Sequence, residues 1–385
     1  MFEYFPGNYV WNLSINLALE MGAKIGEIDE MCRPLLEISK QGDDAGTQAF
    51  MQSWVTMGDK LVELAAEDEA KGRLLSAGNK LGRAATYYII AERMQARDYA
   101  PRKALYAKVL DAFQKGVKLA RENCERVEIP YAHAHIAGLY VRAEGVTGRA
   151  PILVQINGLD STKEMIYRVG GPHALAKRGI ASLVIDQPGT GEALRLHGMP
   201  AVYNSETWAS KVVDYLETRD DIDPRRIGLH GVSLGGYYCP RAVAFEPRFA
   251  LGVVWGANHN WGEIQKRRLA HEGERPVPHY WEHVQWVWGA QTLDEFMQIA
   301  EKVTLDGVLD RIRVPFLVTH GANDRQIPLD YAYRTYEGLI NSPKRELKIF
   351  TTREGGSQHS SVDNSTNAMD YIADWVAENL GGRTV

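Results

Sequence analysis

The sequence is poor in the features that mark a secreted, membrane-bound or nucleic-acid-binding protein. It has three cysteines in 385 residues, Cys32, Cys124 and Cys239, far apart and in no C-x-x-C pair. That excludes a disulfide framework or a cysteine zinc site and fits a reducing compartment, so a cytoplasmic location is expected. No run of about eighteen apolar residues occurs. Residues 1–20 lack the basic start and unbroken apolar stretch of a secretory leader, so neither a membrane span nor export is expected. Charge of one sign is not in excess either: the net charge is −5, with 24% charged residues. Nothing here attracts a polyanion, and nucleic acid is not an expected partner. Nucleotide loops are missing too. Gly189 and Gly191 suggest one, but position 194 is leucine, so G-x-G-x-x-G fails, and no Walker lysine follows. A loop at a strand's carboxyl end is the better reading.

What is present is length and pattern. The chain can fill one large core and still supply a second domain. Residues 1–125 read as a helical N-terminal cap domain: Leu105, Val109, Leu110, Phe113 and Val117 recur at spacings of three and four, and 49–65 and 81–94 behave alike. Its opening is aromatic. Tyr4, Phe5, Tyr9 and Trp11 either pack the helical domain onto the rest of the chain or line a substrate pocket, with Tyr4 and Trp11 carried forward as pocket candidates.

From Val127 the pattern alternates, and 131–142 reads as strand with turns. Buried strands follow at 151–156, 180–185, 227–230, 250–255, 315–319 and 346–350, with helical stretches between them and a turn at Asp223-Pro224. The expectation for 126–385 is an α/β fold with a mostly parallel sheet covered by helices. Residues 257–313 form a long excursion, read as a lid, holding Trp261, Tyr280, Trp281, Trp286 and Trp288. Trp261 and Trp281 join the pocket candidates.

One stretch carries chemistry. Gly231-Val-Ser233-Leu-Gly235 matches G-x-S-x-G, in which a serine sits on a sharp turn between strand and helix. Side chains at Gly231 or Gly235 would collide with the nearby backbone. A serine hydroxyl needs a base, and the base needs a carboxylate to fix its tautomer. Asp324 follows the strand at 315–319 and His359 follows the last strand, giving the order Ser, Asp, His. Asp330, at a helix start, is the second choice of acid; His320 at the strand mouth suits a supporting role. The oxyanion donors expected are the backbone N–H groups of Leu234, just after the serine, and of Leu159, in the loop after the first buried strand. Two metal patterns carry less weight. His133 and His135 sit two apart on one strand face without a third ligand, and His279-Tyr-Trp-Glu-His283 matches H-x-x-E-H in a lid whose helical packing explains it better. No metal or cofactor is expected.

With these residues in place the chain resembles an α/β-hydrolase. Asn157-Gly-Leu-Asp-Ser-Thr-Lys-Glu164 is similar to the G-L-[DE]-S-x-K-E stretch of a subgroup with a helical N-terminal domain: the FrsA-like esterases, 2,6-dihydropseudooxynicotine hydrolase and fungal polyketide-shortening hydrolases. The resemblance implies hydrolysis of an ester or of a carbon–carbon bond next to a ketone by a serine hydrolase that forms an acyl-enzyme, and the aromatic density of the opening and the excursion suggests a hydrophobic aromatic or polyketide-like small molecule as substrate. It also implies a homodimer, and it draws attention to Glu263, either an auxiliary acid for the carbon–carbon reaction or a solvated lid glutamate. Carbon–carbon cleavage is the leading expectation. Carboxylesterase or acyltransferase activity uses the same residues, and a binding protein on a hydrolase scaffold is the alternative from another class.

Overall fold

The computed structural model describes residues 1–384, which divide into two compact units. One comprises Met1–Cys124 with Arg275–His283; the other comprises Glu125–Glu274 and the chain from Val284 onward.

The first unit is helical: Tyr9–Glu20, Ile25–Cys32, Thr47–Ala70, Leu74–Arg93 and Pro101–Ala120. Asn8 caps the first helix by accepting the Trp11 N–H, and Pro101 opens the last, where its missing N–H costs nothing. Leu105, Val109 and Phe113 form the buried face of that last helix, as their spacing predicts. The aromatic opening becomes core. Trp11 is fully buried, edge-on to Phe5 at 5.1 Å and Phe50 at 5.2 Å, and its indole N–H donates to the Asp43 carbonyl. The Tyr4 hydroxyl donates to Asp29 at 2.6 Å. Packing and local hydrogen bonds therefore occupy Tyr4 and Trp11, in place of the pocket role considered for them.

Assigning all of 257–313 to the sheet domain also needs correcting. Residues 275–283 belong to the helical unit, where the buried Arg93 donates to the Pro276 carbonyl at 2.6 Å and the His279 N–H donates to Asp44 at 2.7 Å. Trp281 lies in this segment, half-buried, with its ring 5.1 Å from that of Tyr280. The H-x-x-E-H pair is broken as well. His279 has φ 50° and precedes the helix Tyr280–Trp288, with Nε2 3.3 Å from Thr47 Oγ1, while His283 is buried inside that helix.

The second unit is built on eight strands: β1 (Glu125–Tyr131), β2 (Ala134–Val141), β3 (Ala150–Ile156), β4 (Ala181–Ile185), β5 (Ile222–Val232), β6 (Phe249–Trp255), β7 (Phe316–Gly321) and β8 (Arg345–Phe350). Their spatial order is β1-β2-β4-β3-β5-β6-β7-β8. The β1–β2 hairpin and the β2–β4 pair are antiparallel, and the rest are parallel. Every residue of β3 and β4 is buried, which is why these strands read as unbroken apolar runs. Asp223-Pro224, read as a turn, lies within β5, beside a shift in its register with β3. His133 falls in the hairpin turn, after Ala132 at φ 51°, so it shares no strand face with His135; its Nε2 is 2.9 Å from the His197 carbonyl. Trp261 packs inside the excursion, 5.4 Å from Trp288 and 5.5 Å from Phe296. No helix among the described residues is long and apolar enough to cross a membrane.

A Cβ added to Gly231 would lie 2.0 Å from the Gly235 carbonyl oxygen. Gly231→Ala is therefore expected to cost about 1–3 kcal/mol, the usual range for overpacking, and an unchanged urea midpoint would contradict this. His230, just before it, is fully buried with neither ring nitrogen partnered, and burial pushes its pKa down to about 4. Between about 6.5 and 4 the unfolded chain takes up a proton that the folded one refuses, so stability falls with falling pH by on the order of 3 kcal/mol. His230→Leu should flatten that part of the urea-midpoint profile; a parental profile would refute the assignment.

Candidate active site

Ser233 sits between β5 and the helix Gly235–Phe245 at φ 57°, a left-handed conformation that costs a non-glycine residue about 1–2 kcal/mol. Its N–H donates to the Trp255 carbonyl at the end of β6, and its carbonyl accepts from Gly236, so the backbone is pinned on both sides.

Two further loops, leaving β7 and β8, meet the serine. Asp324 is fully buried. One carboxylate oxygen accepts the N–H groups of Gln326 at 2.8 Å and Ile327 at 2.9 Å; the other lies 2.7 Å from His359 Nδ1. Burial alone would raise its pKa, but His359, His320 and the Ile327 amide outweigh that and hold it below the usual range. An ionised carboxylate only accepts, so His359 Nδ1 carries the proton and Nε2 is left as an acceptor, 2.8 Å from Ser233 Oγ. The three side chains form one directional chain of hydrogen bonds, able to draw the hydroxyl proton onto the imidazole as the oxygen attacks. The hydrogen bond to His359 is made by Asp324, not by Asp330, which lies in the first turn of the helix Asp330–Gly338. Ser360 and Ser361, next to the histidine, have φ 47° and 54°; the Trp255 indole N–H holds this bend by donating to Ser361 Oγ.

Leu159 and Leu234 flank the serine from two loops. A Cβ built on Gly158 would lie 2.9 Å from Ser233 Cβ, which fixes how closely the 157–159 loop approaches. Both leucine side chains are buried, and neither backbone N–H has a protein acceptor among the described residues. His320 is fully buried. Its Nδ1 accepts the Ala257 N–H at 3.1 Å, so Nε2 donates to the Ile327 carbonyl at 3.2 Å. Burial lowers its pKa, which keeps it neutral as a staple between the β6 and β7 loops.

Glu263 is bonded to other partners. It is exposed and accepts hydrogen bonds from Tyr331 at 2.7 Å and Arg334 at 2.9 Å. Partial burial pushes its pKa up, but these two partners more than offset it, so the group stays ionised with no proton to give near neutrality. Missed from sequence were Asp186 and Gln187, which directly follow β4 and bind the 157–159 loop. Gln187 Oε1 accepts the Asn157 N–H, Gln187 Nε2 donates to the Asn157 carbonyl, and Asp186 accepts from the Asn157 side chain. An acid directly after a buried strand was the available signal.

Among the described residues, Glu164, Asp186 and Glu192 are close enough together to share a metal ion, but the Lys163 ammonium already bonds all three.

Known proteins agree with this architecture. Residues 171–383 match the model of the prolyl oligopeptidase family, and residues 46–256 match that of the FrsA-like esterases. The chain is 28% identical to the hydrolase LUC6 of a Fusarium species, covering 100% of this chain and 99% of that one. It is likewise 28% identical to 2,6-dihydropseudooxynicotine hydrolase of Paenarthrobacter nicotinovorans, over 85% and 83% of the two chains, and to 20-hydroxy-prefusarin hydrolase FUS2 of Gibberella moniliformis, over 89% and 88%. The solved structure of 2,6-dihydroxy-pseudo-oxynicotine hydrolase superposes with a TM-score of 0.76, at 23% identity and 95% coverage of both chains, which speaks for the fold. Each family model spans more than half of the chain; the protein is an α/β-hydrolase enzyme, in the part of that superfamily described by the prolyl oligopeptidase and FrsA-like esterase families.

Proposed function

We propose that the enzyme hydrolyses a carbon–carbon bond next to a ketone in an apolar, aromatic or polyketide-like small molecule, with Ser233 as nucleophile, His359 as base and Asp324 as its orienting carboxylate. The observation that carries the catalytic reading is the hydrogen-bond chain from Ser233 Oγ through His359 to Asp324. Similarity to hydrolases named for a dihydropseudooxynicotine and a hydroxy-prefusarin supports the substrate class.

In this reading Ser233 Oγ adds to the ketone carbonyl as its proton passes to His359 Nε2. The N–H groups of Leu159 and Leu234 hold the resulting oxyanion. Collapse breaks the carbon–carbon bond, and the departing carbon takes the proton from His359, the role left open by the ionised Glu263. Water, deprotonated by the same imidazole, then splits the acyl-enzyme to a carboxylic acid and free serine. A carboxylesterase is the second reading; what favours it is the match to the FrsA-like esterase family over residues 46–256. The two differ only in the leaving group.

A fluorophosphonate probe is expected to label the parent on Ser233, and Ser233→Ala and His359→Ala should each lose at least ~10³-fold in turnover; labelling that persists in Ser233→Ala would refute the nucleophile. A panel of 1,3-diketones and short p-nitrophenyl esters, followed by mass spectrometry, assigns the bond: diketone cleavage is expected, and brisk ester turnover with intact diketones would favour the esterase. Glu263→Gln should leave diketone kcat within about threefold, since a carboxylate already paired with Arg334 supplies no proton; a loss of tenfold or more would reinstate it as the acid.

A further inference from the structure

Lys163 belongs to the stretch that carries the family resemblance, yet it is absent from the serine's hydrogen-bond chain. Its side chain is 1% exposed, and its ammonium lies 2.5 Å from Glu164, 2.6 Å from Glu192 and 2.9 Å from Asp186. Taking an ammonium out of water is costly, and only close partners return that cost. Three carboxylates within 4.8 Å of one another would ordinarily invite a divalent cation. Here the chain supplies the cation itself. Arg126, reaching in from β1, adds a second one by a bidentate bond to Glu192 at 2.5 and 2.8 Å. Glu192 is held down to about 2: burial alone would raise it, but Arg126 and Lys163 prevail.

Asp186, bound to this lysine, closes the oxyanion loop at both ends. Its Oδ1 accepts the backbone N–H of Lys163 at 2.8 Å and the Asn157 side-chain amide at 3.2 Å, while its Oδ2 accepts the Lys163 ammonium and the Glu192 N–H at 3.0 Å. Within the loop, Ser161 Oγ donates to Asn157 Oδ1 and accepts the Gly158 N–H, one residue before Leu159. A continuous run of hydrogen bonds thus leads from the ammonium to the Gly158 N–H, in the peptide directly before the one that presents the Leu159 N–H.

We propose that Lys163 is a built-in cation that takes the place of a metal and acts as a positioning residue, fixing the oxyanion loop through Asp186 so that the Leu159 N–H keeps its aim. This rests on the reading of Leu159 as an oxyanion donor. Without the ammonium, Asp186 and Glu192 would repel each other across a buried gap, and Asp186 would no longer be held where it bonds both Asn157 and the Lys163 amide. A donor displaced by about 1 Å loses much of its effect on a transition state while binding of the ground state is little changed.

Lys163→Met keeps the length and removes the charge. Its kcat on whichever diketone or ester of that panel the parent cleaves fastest should fall roughly 10- to 100-fold, with KM within about threefold, as for other residues that orient a catalytic group. Hydrogen exchange in 157–163 should quicken in the same variant, and fluorophosphonate labelling should slow in proportion to kcat. Lys163→Arg, which keeps the charge, should recover part of the loss. If Lys163→Met does not fold, Glu192→Gln decides: it leaves Lys163 on Asp186 and should lower kcat about 3- to 10-fold, again with KM kept. Parental kcat and parental loop exchange in a folded Lys163→Met or Glu192→Gln protein would overturn the proposal. So would loss of parental activity in EDTA that Mg2+ or Zn2+ restores. Ser233→Ala keeps the two questions apart: if it turns over like the parent, the reading of the site itself fails, and if it is inactive, the Lys163 results bear on positioning alone.

Discussion

A serine held at φ 57° is a local conformation that the rest of the catalytic unit has to impose. Left to itself the residue would relax to a right-handed or extended backbone, gaining about 1–2 kcal/mol and withdrawing its hydroxyl. What prevents this is contact. Gly231 leaves no room for anything but hydrogen against the Gly235 carbonyl, and the Ser233 N–H is tied to the Trp255 carbonyl. The same economy recurs across the site, where Ser360 and Ser361 hold left-handed angles beside His359 and Trp255 holds the bend through its indole. Trp255 therefore secures both strained segments, one through its carbonyl and one through its ring.

Charge is treated differently at different depths. The carboxylates of Asp324 and Asp186 are both fully buried, and each is surrounded by donors: two amides and an imidazole for the first, two amides, a side-chain amide and an ammonium for the second. Neither resembles Glu263, which is exposed and spends its charge on Arg334 and Tyr331. Buried carboxylates with complete donor shells keep their geometry because any movement forfeits several bonds at once. An exposed ion pair has no such constraint and contributes little. The residues able to fix catalytic geometry are accordingly those the solvent does not reach.

The aromatic residues show how composition can mislead. Trp11 and Trp261 were pocket candidates because they fall in aromatic-rich stretches, the chain's opening and the long excursion, yet each is enclosed by rings of its own unit. Large rings bury enough area to found a small core wherever helices must pack without strands, and that use is met before any ligand is considered.

The sequence by itself determined the parallel sheet, the elbow and the order of serine, acid and histidine, because these depend on local rules: continuous apolar runs for doubly covered strands, glycines where a turn leaves no space, polar residues just past strand ends. It also singled out the 157–164 stretch without showing what Lys163 does there. Only the tertiary structure decided the rest. It bonded Asp324 to His359, turned Glu263 away to Arg334, placed 275–283 with the helical unit, moved His133 into a turn, and set a lysine amid three carboxylates. Each of these outcomes depends on side chains distant in the sequence competing for the same buried partners, and spacing along the chain carries no record of which partner wins.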